Sequence, residues 1–382
     1  MKVVVAVDSF KGSLDAKGVC AAVAAGVRRV FADAEIVEIP LADGGEGTAE
    51  QLAYATGGFL VDEEVSGPLG TPVQAKYGVL GDGKTAVIEM AQASGLMLVP
   101  EAARNPLITT SRGTGELILK ALERGYRKFI IGLGGSATND GGAGMLTALG
   151  LRFLDGEGRE LAAGGGALGR LARIEKAGWD ERLAEASFVV AGDVQNPLIG
   201  PQGASAVFGP QKGATPQMVQ ELDAALDRLG EAVLHRTGVE IRHLPGGGAA
   251  GGMGAALAAF MQAEVRAGIE VMMEAAELER RLGGADLMIT GEGRLDAQTL
   301  SGKVIAGVSR AAAKQGVPAV ALCGGLALSG AELAQLGVAA AFPIVPGPCL
   351  LSEAMAKTAD WTADAAERVL RLWQAASAQS SQ

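Results

Sequence analysis

The chain opens with Lys2-Val3-Val4-Val5-Ala6-Val7-Asp8-Ser9-Phe10-Lys11-Gly12, and this stretch decides the reading of the fold. An unbroken apolar, β-branched run suits a strand buried on both faces of a parallel sheet. The Asp-Ser and Lys-Gly after it are loop chemistry. The same grammar recurs along the chain. An apolar run at 35–39 leads to Asp43-Gly44-Gly45-Glu46-Gly47, and one at 128–131 leads to Gly132-Leu133-Gly134-Gly135-Ser136. Runs at 187–191, 285–290 and 317–322 lead to Gly192-Asp193, Gly291-Glu292-Gly293 and Gly324-Gly325. In open parallel sheets ligands bind beyond the carboxyl ends of the strands. The need for a tight turn explains glycine in one such loop. So many loops that also carry carboxylates point to a shared site.

Between these strands the spacing predicts helices. Ser13 reads as the N-cap of a helix to about residue 30, and Gly47-Thr48 opens a second. From Phe59 the grammar changes. Val73, Ala75, Tyr77 and Val79 alternate with polar residues, a Gly81-Asp82-Gly83 turn comes next, and 85–90 returns as a strand. Met218, Leu222, Leu226, Leu229 and Val233 fit an amphipathic helix over 216–235, and a last helix is expected over 351–376. A short strand is expected around His243. The simplest assembly joins the first two βα units to strands at 285–290, 317–322 and 339–342 as one five-stranded sheet. Residues 1–63 and 284–382 then form one α/β domain, and 64–283 an inserted one, with the active site expected in the cleft between them.

Composition narrows the function. The 382 residues include 57 glycines, roughly twice the ordinary ~7%. With 48% apolar residues there is ample material for a core, so disorder is excluded. The formal net charge of −10 and the lack of basic clusters exclude a nucleic-acid surface. Cys20, Cys323 and Cys349 are odd in number and widely spaced, against a zinc site or a disulfide framework. His235 and His243 read as structural. The N-terminal apolar run is too short for a signal sequence, and the uncharged stretches at 244–263 and 333–352 are interrupted by Gly, Ala and Pro, so a cytoplasmic protein without membrane contact is expected. Oligomeric state is not legible.

Two glycine patterns need weighing. Gly78-Val79-Leu80-Gly81-Asp82-Gly83-Lys84-Thr85 matches the Walker A pattern, but a strand-like segment comes after it where a phosphate loop needs a helix, so a hairpin turn is predicted. Gly132-Leu133-Gly134-Gly135-Ser136-Ala137 resembles a dinucleotide fingerprint, with Asp155 at about the distance of a ribose ligand. This keeps an NAD(P)-dependent oxidoreductase of a small hydroxy acid open as an alternative. The acidic residues at strand ends favour phosphoryl transfer, which needs Mg²⁺ on carboxylates, a carboxylate for the accepting hydroxyl, and cations for phosphate. Asp8, Asp43, Glu46, Asp193, Glu292 and Asp296 are placed for the acidic roles, and Lys11, Arg294 and Lys303 for the basic ones.

Several segments resemble the bacterial type I glycerate kinase family, and they run in the family's order over essentially the whole chain. They are Asp8–Ser13, Pro40–Thr48, Gly132–Leu146 (GLGGSATNDGGAGML), Gly192–Leu198, Val207–Ala214 (VFGPQKGA), Pro245–Gly254 (PGGGAAGGMG) and Asp286–Lys303 (DLMITGEGRLDAQTLSGK). Gly192 stands where the family often has Cys, and the adjoining Asp193 is kept. The resemblance implies a Rossmann/flavodoxin-like parallel-sheet domain with an inserted α/β domain containing mixed or antiparallel strands. It also implies ATP- and Mg²⁺-dependent phosphorylation of (R)-glycerate, with 2-phosphoglycerate favoured over 3-phosphoglycerate. On this reading ATP phosphates are expected on the amides and side chains of Gly134, Gly135, Ser136, Asn139, Asp140, Gly141 and Gly142, and of Gly247, Gly248, Gly251 and Gly252. Mg²⁺ is expected on Glu292 and Asp296 with Asp193. Asp193 or Asp43 is the expected base, and Lys303 the neutraliser of the transferred group. Glycerate is expected at Ser9, Lys11, Asp43, Gly44, Gly45, Glu46 and Arg294.

Overall fold

A computed structural model describes residues 1–42, 47–301 and 304–380. The chain divides into two compact units, residues 1–43, 54–56 and 269–382, and residues 44–53 and 57–268.

The first unit is built on β1 (Lys2–Val7) and β2 (Glu35–Pro40). The second carries β3 (Phe59–Ser66), β4 (Pro72–Val79), β5 (Thr85–Glu89), β6 (Lys128–Gly132), β7 (Leu151–Leu154), β8 (Arg173–Lys176), β9 (Ser187–Ala191) and β10 (Glu264–Arg266). The chain then returns to the first unit with β11 (Leu287–Leu295), β12 (Ala319–Leu326) and β13 (Ala340–Pro343).

The first sheet has the order β13-β12-β11-β1-β2, parallel throughout. This is the five-stranded assembly expected from the apolar runs, and its order is that of the flavodoxin-like fold. Val3, Val4, Val5, Ala6 and Val7 are all fully buried, as a central strand covered on both faces requires. Helix Ala16–Arg28 covers one face, packed on helix Thr358–Ser380. Contact there is close: a Cβ at Gly26 would lie 2.2 Å from the Ala363 carbonyl oxygen. Asp15, rather than Ser13, caps the first helix, accepting from the Gly18 amide at 2.7 Å. Ser13 instead bonds Thr358 and the Met355 carbonyl, so its hydroxyl is spent on tertiary structure. The expected last helix is two, Leu351–Ala356 and Thr358–Ser380.

The second sheet runs β10-β9-β6-β5-β4-β3, parallel from β10 to β5 and antiparallel through β4 and β3. The Walker-like residues form the β4–β5 hairpin. Leu80 N–H donates to the Thr85 carbonyl, Gly83 adopts φ +63°, and the Asp82 carboxylate accepts from the amides of Lys84 and Thr85 and from the Thr85 hydroxyl. Lys84→Ala is therefore expected to leave the KM for any nucleotide within about twofold, because Lys84 lies in a solvent-exposed hairpin rather than at a helix start. A tenfold loss of nucleotide affinity would restore the phosphate-loop reading.

Two joints differ from those drawn on the sequence. Residues 59–63 belong with the second sheet, because β3 pairs along its whole length with β4. Residues 269–283 group with the first unit. The stretch around His243 is a turn, not a strand. His235 lies in the last turn of helix Pro216–Thr237, where a cation suits the helix dipole.

Candidate active site

In the first unit the carboxyl ends of β1, β11, β12 and β13 surround a cavity of about 780 Å³ lined wholly by residues of that unit. It lies at the β1/β11 position where the strand order reverses, the crevice in which open α/β sheets bind ligands.

β1 delivers Asp8. Its amide donates to the Gly291 carbonyl at 2.9 Å, which locks the loop to the neighbouring strand, and its Oδ1 accepts from the Ser9 amide at 2.6 Å. Phe10, 3% exposed, anchors the loop in the apolar cluster formed with Val3, Val5 and Val7. Gly12, at φ +77°, then turns the chain so that Phe10 and Leu14 bridge. Ser9 and exposed Lys11 flank that anchor and both line the cavity.

β11 delivers the second set. Its register against β12 places Glu292 beside Cys323 and Arg294 beside Gly325. Thr299 ties the acidic residues together. Its hydroxyl donates to Glu292 Oε1 at 2.5 Å and accepts from the Asp296 amide at 3.1 Å. Asp296 Oδ1 also accepts from the Gln298 amide at 2.9 Å, and its Oδ2 lies 3.4 Å from Arg294 Nε. Burial, aided by the Glu292 charge, pushes the buried Cys323 thiol up to about 12, so it is inert and not a nucleophile. The spacing of Asp296 and Thr299 within the 286–303 motif was the signal for Thr299, which the motif's charged residues overshadowed.

Ser9, Lys11, Glu292, Arg294 and Asp296 are thus brought to one cavity. Asp193 belongs to the second unit, just beyond β9, where its Oδ1 accepts from the Gly268 amide at 3.2 Å. Asp43, Gly44, Gly45, Glu46 and Lys303 lie outside the described residues. Among the described residues no three His, Cys, Asp or Glu side chains converge on a metal-sized site.

In the glycine clusters of the second unit, where phosphate was expected, several amides are bonded within the protein. Gly141 N–H donates to the Gly251 carbonyl at 2.9 Å, and Gly142 N–H to Asp140 Oδ1 at 3.2 Å. Gly247 N–H goes to the Leu244 carbonyl and Gly248 N–H to the Asn196 carbonyl, both at 2.9 Å. A Cβ at Gly251 would sit 2.1 Å from the Thr138 carbonyl oxygen, and one at Gly252 2.7 Å from Gly141 Cα. The two clusters therefore pack backbone against backbone, and these amides are spent inside the protein. Asn139 and Asp140 are buried with them. Asn139 Nδ2 bonds Ser205 at 2.9 Å, while the Asp140 carboxylate accepts from the Ser111 amide and hydroxyl, both at 2.8 Å, and from the Gly144 amide at 3.2 Å. Only Gly134 and Gly135 remain exposed.

The dinucleotide reading loses its structural requirements. No helix starts directly after Ala137; the next begins at Ala143 and ends at Ala148. Asp155 accepts from the amides of Glu157 and Arg159 and pairs with the Arg159 guanidinium, so it closes a turn. No helix among the described residues is long and apolar enough to cross a membrane.

The glycerate kinase family profile matches residues 3–374. A glycerate kinase of Bacillus subtilis (strain 168) is 49% identical over 361 residues, 94% of each chain. A glycerate 2-kinase of Escherichia coli (strain K12) is 50% identical over 354 residues, 93% of each. A crystal structure assigned as glycerate kinase 2 of Salmonella typhimurium LT2 superposes with a TM-score of 0.91 at 48% identity, covering 99% of both chains. Identity at this level, over lengths that include both units and every loop described above, shows that the chain belongs to the glycerate kinase family.

Proposed function

We propose that this glycerate kinase transfers the γ-phosphoryl group of ATP to the 2-hydroxyl of (R)-glycerate, giving 2-phosphoglycerate and ADP. The observation that carries the phosphoryl-transfer reading is the switch-point cavity, where three carboxylates, Asp8, Glu292 and Asp296, and two cations, Lys11 and Arg294, stand at or just beyond the ends of adjacent parallel strands. The 2-position follows the relative named as a 2-kinase. A site in the cytoplasm, where ATP is abundant, fits this chemistry.

Glu292 and Asp296 offer the hard oxygen donors that Mg²⁺ prefers, and they are the residues that would hold it. Bound there, the ion would neutralise charge on the phosphate oxygens. Lys11 and Arg294 supply positive charge to the anionic groups of the reactants. Asp193 or Asp43 accepts the proton of the attacked hydroxyl, and Lys303 offsets charge on the transferred group. Asp193→Asn is expected to lower kcat by about 10²–10⁴-fold; a kcat within a few-fold of the parent enzyme would remove Asp193 from the chemistry.

The activity itself is tested by coupled ADP release from purified protein with Mg²⁺ATP and a panel of small hydroxy acids, with ³¹P NMR of the product. Release with (R)-glycerate and a phosphorus coupled to the C2 proton are expected. Nicotinamide turnover with a hydroxy acid and no ADP release would sink the proposal.

A further inference from the structure

The cavity of the first unit has more room, and a different wall, than a three-carbon acid can use. Its volume of about 780 Å³ lies within the ~300–1,000 Å³ of sites that take drug-sized ligands and cofactors. Its lining has two chemistries. Asp8, Lys11, Glu292, Arg294 and Asp296 make its charged side; Leu326 at the end of β12, Ile344 and Val345 beyond β13, and Met355 on helix Leu351–Ala356 give it an apolar wall. Leu326 and Met355 are left 36% and 37% exposed, so the wall holds apolar surface that the protein itself does not cover. The two adjoin: a Cβ at Gly12, next to Lys11, would lie 3.2 Å from Met355 Cε.

Glycerate bears an oxygen on every carbon, and pressing it against such a wall would strip its hydroxyls of water for no return. A nucleotide has what both chemistries want: a flat base that gains by covering apolar surface, and a polyphosphate that needs cations and a metal. The carboxylates suited to Mg²⁺ lie in this same cavity, and Mg²⁺ in kinase sites is shared between carboxylates and the substrate's phosphates. In the glycine clusters of the second unit, by contrast, the amides of Gly141, Gly142, Gly247 and Gly248 are already bonded within the protein.

We propose that this cavity binds the magnesium–nucleotide complex, with the base on the Leu326–Val345–Met355 wall and the phosphates at the Lys11–Arg294 side, and that glycerate is held outside it. The assignment rests on the reading of the chain as an ATP-dependent kinase.

The test uses the full chain. Met355→Asp and Leu326→Asp are expected to weaken MgADP binding, read by calorimetry, and to raise the KM for ATP by about tenfold or more, because a carboxylate on the wall repels the base from an apolar contact. The KM for glycerate should stay within about twofold. A raised KM for glycerate with MgADP affinity unchanged would overturn the assignment, as would unaltered binding of both in variants with the parent melting temperature. Hydrogen exchange of the unsubstituted protein with MgADP alone gives a second reading that needs no variant to fold. Protection at 324–327 and 344–356 is expected, and protection confined to 134–142 and 246–254 would overturn it. If the unsubstituted enzyme releases no ADP with glycerate, the kinase reading fails, while the MgADP measurements still decide the site.

Discussion

Gly251→Ala is expected to destabilise the second unit by roughly 2–5 kcal/mol. Gly251 sits at φ +67°, where a side chain costs about 1–2 kcal/mol. The added Cβ would meet the Thr138 carbonyl oxygen at 2.1 Å and Asn139 Cα at 2.6 Å. Both are backbone atoms, so no rotamer change relieves the clash, and overpacking of this kind adds about 1–3 kcal/mol. Relief by shifting the loop would stretch the Gly141–Gly251 hydrogen bond of 2.9 Å. The chain has little slack there, because Ala250 already holds φ +53°. Amide exchange in helix Met253–Met261 reads the effect without assuming that two units unfold together. Gly169→Ala is the control. With open space around its would-be Cβ and no positive φ, it should change stability by less than about 0.5 kcal/mol. Equal exchange rates in Gly251→Ala and the parent protein would show that the cluster is not the packed contact described here.

The same contact explains what the sequence could and could not reveal. The first sheet was legible because its central strands β1, β11 and β12 are largely buried, and that burial is written as apolar runs in the sequence. β3 was harder. Asp62, Glu63 and Glu64 interrupt its apolar pattern because it is an edge strand, and Glu63 pairs with Lys120 and Arg124, partners distant in the chain. The Walker-like segment could be rejected because the deciding feature, a strand in place of a helix after Thr85, is local. The glycine clusters could not be read so, because a glycine that offers its amide to a ligand and one that lets two backbones touch look alike until the facing residue is known. For Gly251 that residue is Thr138. The apolar wall of the cavity was invisible for a related reason: Leu326, Val345 and Met355 lie in three separate segments, none unusual alone. The carboxylates at strand ends were found because one loop after another repeats the same pattern.

Lys212→Met should invert the order of stability between parent and variant as pH rises. Lys212 is 1% exposed, and its ammonium donates to the Thr138 carbonyl at 2.7 Å. Burial pushes its pKa down from 10.5 to about 7, with the Asp140 charge opposing and outweighed. Between these two values the unfolded chain holds a proton that the folded chain has lost, so parent stability climbs as pH rises from about 7 to about 10. The whole window is worth about 3–5 kcal/mol. Below it the lysine is charged in both states and the full burial penalty stands. Methionine, of similar length and without charge, lifts that penalty but leaves the Thr138 carbonyl without its donor, a loss of about 1–3 kcal/mol. Near pH 7 the relief exceeds the loss, so the variant is the more stable by about 1–3 kcal/mol. Near pH 10 the penalty has gone from the parent as well, only the lost hydrogen bond remains, and the parent becomes the more stable. Denaturant midpoints of the two proteins across pH 6–10 check this, since the titrating groups remote from Lys212 are common to both and cancel in the difference, leaving Lys212 and its neighbour Asp140. Parallel curves would mean that Lys212 keeps its proton in the fold, with Asp140 compensating its burial in full. A crossing would instead show that the fold carries the cost of a buried ammonium to supply a donor to the Thr138 carbonyl, the same carbonyl that faces Gly251.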